Sequence, residues 1–87
     1  MAKHTKLLRL VLSGTSDTNV SFADLRRLLV WLGFDERTSG GSHYTYSHPD
    51  LPEILTVPRR KPLKPVYVRK TRELILRYKL AGPDAGT

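Results

Sequence analysis

The stretch TSGGSHYTYSHP, from Thr38 to Pro49, predicts the strand around which this chain folds. Its centre, residues 42–48, alternates between two sets of side chains, as a half-buried strand does. Gly40-Gly41 just before it supply the positive φ angles of a tight turn, which predicts a two-residue hairpin connection to an earlier strand. The proline after it is typical of a turn. The stretch therefore predicts a β-hairpin whose second strand has two unlike faces.

The alternation also predicts where the histidine of this strand lies. Side chains alternate across a strand, so Tyr44 and Tyr46 share one face and His43 shares the other with Thr45 and Ser47. The two tyrosines carry large apolar area and are expected to pack beneath helices. His43 is then exposed at a sheet end, where the neighbouring glycines have no Cβ to obstruct an approaching backbone or phosphate.

A well-specified helix precedes the hairpin. Ser21 is a favourable N-cap, and Asp24 follows it three residues later, as in a capping box. Gly33 is expected to end this helix in the left-handed conformation. The apolar stripe that faces the core consists of Phe22, Leu25, Leu28, Leu29 and Leu32.

The remaining elements follow from periodicity and turn residues. We expect a first helix over 3–13, strands over 34–39, 42–48 and 53–57, and a last helix from Pro65 to about Leu80 that Gly82-Pro83 stops. His48 is predicted to be a turn residue. These segregated elements predict an α+β fold, with helices packed on one face of a three-stranded antiparallel sheet. A single domain spans 1–82, with an extra helix 3–13, a core 20–80 and a frayed tail 83–87.

Composition excludes several classes of protein. The 87 residues suffice for one small domain, and the absence of cysteine excludes disulfides and thiolate metal sites. The three histidines lack carboxylates at ligand spacing, so no metal site and no cofactor is predicted. The run from Leu7 to Leu12 is interrupted by Arg9 and is interpreted as a helix, not as an export signal. We therefore expect a soluble, cytoplasmic protein without a membrane span.

The positive charge is concentrated in one segment. The formal net charge is +7, but residues 59–79 contain nine basic residues and a single acid, Glu73, a net +8. The other positions contain six basic and seven acidic residues, a net −1. A basic segment of this kind is typical of a surface that binds phosphates or an acidic protein.

An exposed histidine beside cations has the groups that RNA cleavage requires. The attacking 2′-hydroxyl loses a proton, the departing 5′-oxygen gains one, and histidine can perform either transfer. Lysine and arginine stabilise the charge on the phosphoryl oxygens. Three functions stay open at this point: a ribonuclease, a non-catalytic RNA-binding module, and a protein whose basic helix docks an acidic partner.

Three stretches resemble one known family. They are FADLRRLLVWLGF at 22–34, GGSHYTYSHPD at 40–50 and ILTVPRRKPLKPVYVRKTRELI at 54–75. From about Val20 to Tyr78 the chain resembles the HicA-type toxins, the mRNA interferases of bacterial and archaeal toxin–antitoxin pairs. The Gly-Ser-His triplet, followed by aromatic residues and His-Pro-Asp, is the most specific part of the resemblance.

The resemblance implies a fold similar to the double-stranded RNA-binding domain and RNA cleavage without a metal cofactor. It implies that His43 is the catalytic residue, and that a HicB-type antitoxin covers the active surface in a hetero-oligomer. Many members have a second histidine where this chain has Arg60, which stays protonated and is expected to hold phosphate instead. The residues assigned to RNA binding are Gly41, Ser42, Arg59, Arg60, Lys61, Lys64, Arg69 and Lys70.

Overall fold

Two helices, three strands and a last helix follow one another along the chain. The computed structural model describes residues 3–38 and 40–80. The helices are α1 (Lys3–Ser13), α2 (Phe22–Trp31) and α3 (Pro65–Tyr78), and the strands are β1 (Asp35–Thr38), β2 (His43–Ser47) and β3 (Leu55–Pro58). A short 3-10 helix, Asp17–Asn19, lies between α1 and α2. The predicted α+β fold and the order α-α-β-β-β-α are confirmed, and they are those of a double-stranded-RNA-binding-domain-like fold.

Helix α2 begins and ends at the predicted residues. The Ser21 hydroxyl accepts a hydrogen bond from the Asp24 backbone N–H at 3.1 Å, which satisfies one of the free donors of the first turn. Gly33 has φ +99°, and the next N–H, that of Phe34, donates to the Leu29 carbonyl. The Asp24 carboxylate lies 3.9 Å from Arg27. The serine cap and the glycine stop are therefore confirmed.

Helix α3 begins at the predicted residue and ends earlier than expected. Pro65 occupies its first turn, where the missing N–H costs no helical hydrogen bond. The helix ends at Tyr78, because Lys79 adopts the left-handed conformation with φ +53°. The expected stop at Gly82-Pro83 and the tail 83–87 lie outside the described residues.

The sheet is antiparallel, in the order β1-β2-β3, so β2 is its central strand. Tyr46 pairs with Glu36 of β1 and with Leu55 of β3, and Tyr44 pairs with Val57. Tyr46, Leu55 and Val57 are buried beneath the helices, and Tyr44 is half-buried. The predicted inward face of β2 is therefore confirmed.

The connection between β1 and β2 differs from the predicted two-residue turn. Thr38 and Tyr44 form the last pair between these strands, so the connection spans 39–43. Gly40, with φ +86°, supplies the positive φ angle within it. His43 pairs with Pro58 of β3 instead of with β1. β2 pairs with β1 over 44–47 and with β3 over 43–46, so the two pairings are offset by one residue and the pairing with β1 stops before His43.

The core lies between the inner face of the sheet and the three helices. Arg72 of α3 links the N-terminal segment to this helix. Its two terminal nitrogens donate to the Asp17 carboxylate at 2.8 and 3.1 Å, and Nη1 also donates to the Val11 carbonyl at 3.1 Å. No helix within residues 3–38 and 40–80 is long and apolar enough to cross a membrane. The fully buried side chains are Val11, Val20, Leu25, Leu28, Leu29, Tyr46, Val57, Val68, Thr71 and Ile75.

Candidate functional site

His43 is the first residue of β2 and lies at one end of the sheet. Its side chain is exposed, whereas the inward-facing residues on either side of Thr45, Tyr44 and Tyr46, are half-buried and buried. Because its partner in the sheet is Pro58, the last residue of β3, His43 lies beside the point where β3 leaves the sheet. The predicted position of this histidine, on the sheet face opposite the helices, agrees with these burial patterns.

The register of the sheet brings an unforeseen arginine to the same face. Arg37 pairs with Thr45, which in turn pairs with Thr56, so these three residues form the row next to His43. Same-face diagonal neighbours on paired strands lie about 7–8 Å apart, within reach of a long side chain. The Arg37 side chain is 82 % exposed, and its Nε lies 3.1 Å from the Asp35 carboxylate. The sequence analysis did not single out Arg37, because only the pairing register places it next to His43.

A backbone hydrogen bond joins the histidine loop to the basic segment. The Arg59 N–H donates to the Ser42 carbonyl at 2.6 Å, directly after the His43–Pro58 pair. The hairpin loop and the segment that follows β3 therefore lie side by side. Gly41 has open space where a Cβ would stand, so nothing in the described fold fills the surface above it.

The first cations after β3 form a cluster without ion pairs. We call Arg59, Arg60 and Lys61 the basic loop. All three side chains are exposed, and among the described residues none of them forms a salt bridge. Arginines elsewhere in the molecule, such as Arg72 and Arg77, are paired with carboxylates. The basic loop is therefore a cationic surface whose charge is available to a phosphate.

The other predicted RNA-binding cations lie farther along the chain. Lys64 is the N-cap of α3 and is exposed. Arg69 and Lys70 are exposed on α3, the helix that packs beneath the sheet. Lys70 lines a separate hollow along β3 together with Glu53 and Glu73. The structure thus brings Gly41, Ser42 and the basic loop to His43, and it places Arg69 and Lys70 on another element.

His48, at the other end of β2, is held inside the fold. Its side chain is 9 % exposed, and Nδ1 accepts a hydrogen bond from the Asp50 N–H at 3.0 Å. Nε2 lies 3.2 Å from the Leu32 carbonyl, so it is the nitrogen that carries the hydrogen. The ring meets the Phe34 ring edge-on, with centroids 5.0 Å apart. His48, predicted to be a turn residue, therefore also links the turn after β2 to the end of α2.

The buried tyrosine of β2 is likewise committed to an internal network. The Tyr46 hydroxyl donates to Glu36 at 2.7 Å, and Arg26 Nε donates to the same carboxylate oxygen at 2.6 Å. The bond from Arg26 lowers the pKa of Glu36, and the bond from Tyr46 lowers it further. Burial, together with the bond to this carboxylate, raises the pKa of Tyr46. This hydroxyl faces the helices and does not reach the His43 side of the sheet.

The described side chains do not assemble a metal centre. Within residues 3–38 and 40–80, no three histidine, aspartate or glutamate side chains gather as ligands of one ion would.

Comparison with known proteins identifies one family. A family model described as the HicA toxin of bacterial toxin–antitoxin matches residues 22–79, which include α2, the whole sheet and α3. Helix α1 lies outside the matched region. Comparisons with curated proteins and with solved structures gave no significant match.

Proposed function

Because the chain belongs to the HicA family, the toxins of bacterial toxin–antitoxin pairs, we propose that it is an endoribonuclease that cleaves mRNA with His43 as general acid or base. One observation carries this proposal. His43 is an exposed imidazole, and a 2.6 Å backbone bond joins its loop to cations that form no ion pair within the described structure. An imidazole and a cationic surface are the two components that metal-independent phosphodiester cleavage requires.

The proposed reaction is a transesterification within the RNA. The 2′-oxygen forms a bond to the adjacent phosphorus and the bond from phosphorus to the 5′-oxygen breaks. Neutral His43 accepts the proton of the 2′-hydroxyl, or protonated His43 gives one to the departing 5′-oxygen. Either transfer needs the ring within hydrogen-bond reach of the RNA, and its exposed position at the sheet end supports this role.

Water is assigned the other proton transfer in this proposal. Arg60 stays protonated and cannot act as a base. His48 and Tyr46 are both bonded inside the fold, at 3.0 Å to the Asp50 N–H and at 2.7 Å to Glu36. Arg60 instead holds a phosphate with Arg59 and Lys61, and Arg37 stabilises the charge that develops on the phosphoryl oxygens.

The family also implies an antitoxin partner encoded with the toxin. We propose that this HicB-like antitoxin covers the His43 end of the sheet and thereby excludes RNA. The basic loop is the natural binding surface for acidic side chains of such a partner, because its three cations are exposed. A non-catalytic RNA-binding module is the second candidate, favoured because Arg60 cannot act as a base and the His48 and Tyr46 side chains are bonded inside the fold.

A cleavage assay tests the proposal directly. The wild-type chain is incubated with mRNA beside His43→Ala and the control Thr45→Ala, which removes a hydroxyl from the same sheet face. We expect cleavage by the wild type and the control, and a loss of at least about 100-fold in His43→Ala. Equal cleavage by all three proteins would contradict the catalytic role of His43.

RNA binding without cleavage by any of the three would establish the second candidate. In that event, changing Arg59, Arg60 and Lys61 to glutamine tests whether the basic loop is the RNA-binding surface. The slope of log affinity against log salt for single-stranded RNA should fall by about 0.7 for each phosphate that the protein no longer neutralises. His43→Ala should then bind as the wild type does.

A further inference from the structure

A groove adjoins the basic loop on the helix side of the sheet. One wall is the segment from Thr18 to Ala23, where the 3-10 helix leads into α2. The other wall is the segment from Arg59 to Leu63. The groove has a volume of about 570 Å³, which is within the range of pockets that hold small molecules. We call it the loop groove.

The loop groove has an apolar floor and a positively charged rim. Val20 and Leu63 are buried and form its floor together with the half-buried ring of Phe22. The Phe22 ring is supported from behind by Tyr44, with centroids 5.0 Å apart and planes inclined at 59°. The exposed cations of the basic loop form the rim. A phosphate alone would not contact the apolar floor. The apolar floor and the cationic rim together indicate a ligand with one apolar part and one anionic part.

An unpaired nucleotide has these two parts. Single-strand-binding proteins combine cations that follow the backbone with aromatic and apolar surfaces that receive the bases. In a duplex the faces of the bases are covered by stacking, and a protein reads mainly shape and backbone. A duplex therefore cannot place a base against Val20, Phe22 and Leu63.

The loop groove is also connected to the candidate catalytic residue. Arg59 lines it, and the N–H of Arg59 holds the carbonyl of Ser42, the residue before His43. We propose that the loop groove binds an unpaired base close to the phosphate presented to His43, and that the substrate is single-stranded RNA. This inference rests on the proposed function for the role of the phosphate at His43, whereas the binding of the base can be measured without cleavage.

The binding experiment uses His43→Ala, so that the RNA stays intact. A short unstructured oligoribonucleotide is compared with versions in which each base in turn is replaced by an abasic ribose, and with the same strand in a perfect duplex. We expect one position at which loss of the base weakens binding by about 10-fold, since stacking of one base is worth about 1–3 kcal/mol. The duplex should bind more weakly than the single strand.

A matched pair of variants in the same background locates the base. Ala23→Met fills the loop groove from an exposed position of α2, and Val30→Met changes an exposed residue of the same helix outside the groove. Ala23→Met should weaken binding by about 10-fold and abolish the difference between intact and abasic RNA. Val30→Met should retain both the binding affinity and the difference between intact and abasic RNA. Thermal unfolding establishes that the two variants are folded.

The outcomes separate this inference from the proposed function. Equal binding of all abasic versions, equal binding of duplex and single strand, or an Ala23→Met variant that still detects the base would each overturn the inference. If a polyglutamate peptide binds the wild type but not Ala23→Met while the abasic series shows no effect, the groove belongs to an acidic protein segment. If the wild type cleaves RNA but binding does not depend on any base, only the inference is contradicted. If binding depends on a base but no cleavage occurs, only the proposed function is contradicted.

Discussion

Two histidines flank β2 in opposite surroundings: His43 is its first residue, and His48 directly follows its last. At one end His43 is exposed, and the carbonyl of the residue before it, Ser42, accepts a hydrogen bond from the Arg59 N–H. At the other end His48 is bonded to two backbone groups and packed against Phe34. The alternation of β2, continued by one residue to His48, places the two histidines on opposite faces. The face on which each histidine lies therefore decides whether its ring is bonded inside the fold or exposed to a substrate.

The two surroundings explain this division. Both nitrogens of the His48 ring have backbone partners, which fixes its tautomer and satisfies its polar atoms inside the fold. His43 stands on the open face of the sheet beside the exposed cations of the basic loop, where an imidazole can meet a substrate. A change at one end should therefore affect stability, and a change at the other end should affect chemistry.

The largest expected effect comes from truncating each histidine in turn. His43→Ala should lower the cleavage rate at least about 100-fold and leave the melting temperature nearly unchanged. His48→Ala should lower the free energy of unfolding by about 2–4 kcal/mol, because it removes two hydrogen bonds and leaves a cavity beside Phe34. Its cleavage rate per folded molecule should stay that of the wild type. Calorimetry and the mRNA cleavage assay measure the two effects on the same samples.

The reverse pattern would contradict the assignment of stability to His48 and of chemistry to His43. If His48→Ala lost cleavage while it remained folded, the buried ring would take part in chemistry. If His43→Ala lowered the melting temperature as much as His48→Ala does, the exposed ring would hold the hairpin together. A loss of about 2 kcal/mol corresponds to roughly 10 °C for a domain of this size, so calorimetry resolves the difference.

A smaller effect is expected from the glycine that faces His48. Gly33 has φ +99°, and a Cβ built there would lie 3.3 Å from His48 Nε2. Gly33→Ala should therefore lower the free energy of unfolding by about 1–2 kcal/mol, because of backbone strain and the close contact of the new Cβ with the His48 ring. In the His48→Ala background the ring is absent, so the cost of Gly33→Ala should fall by about 0.5 kcal/mol or more. Strictly additive losses in denaturant titrations would show that the ring and the glycine do not interact.

The smallest effect concerns the middle of β2, where Tyr46 and Arg26 share the carboxylate of Glu36. The pKa of Glu36 is lowered in the folded state, chiefly by the bond from Arg26, from an ordinary value of 4.5. A lowered pKa stabilises the fold above the unfolded value, and this contribution is lost as the pH falls through the folded pKa. Glu36→Gln should cost about 1 kcal/mol at pH 7. The difference from the wild type should shrink below about pH 4.

Unfolding measured across this pH range checks the sign. A Glu36→Gln protein that keeps the full acid-induced loss of stability would show that other carboxylates are responsible. Cleavage at pH 7 should be unchanged in this variant, because the carboxylate lies on the inner face, away from His43.

Local rules predicted much of this molecule. Ser21 and Gly33 bound α2 because capping depends on the hydrogen bonds and φ angles of neighbouring residues. The tyrosines of β2 pointed inward, as alternation required. The five-residue connection before Tyr44 was not predicted, because its length depends on where the pairing of β1 with β2 stops.

The helices and strands, the faces of β2 and the concentration of positive charge after β3 could be predicted, because each depends on residues close together along the chain. The position of Arg37 in the row beside His43 and the bond from His48 to the end of α2 follow from the tertiary structure. It alone brought Arg59–Leu63 against Thr18–Ala23 to form the loop groove. These features join segments far apart in the sequence, so they depend on strand register and on packing, which local propensities do not encode.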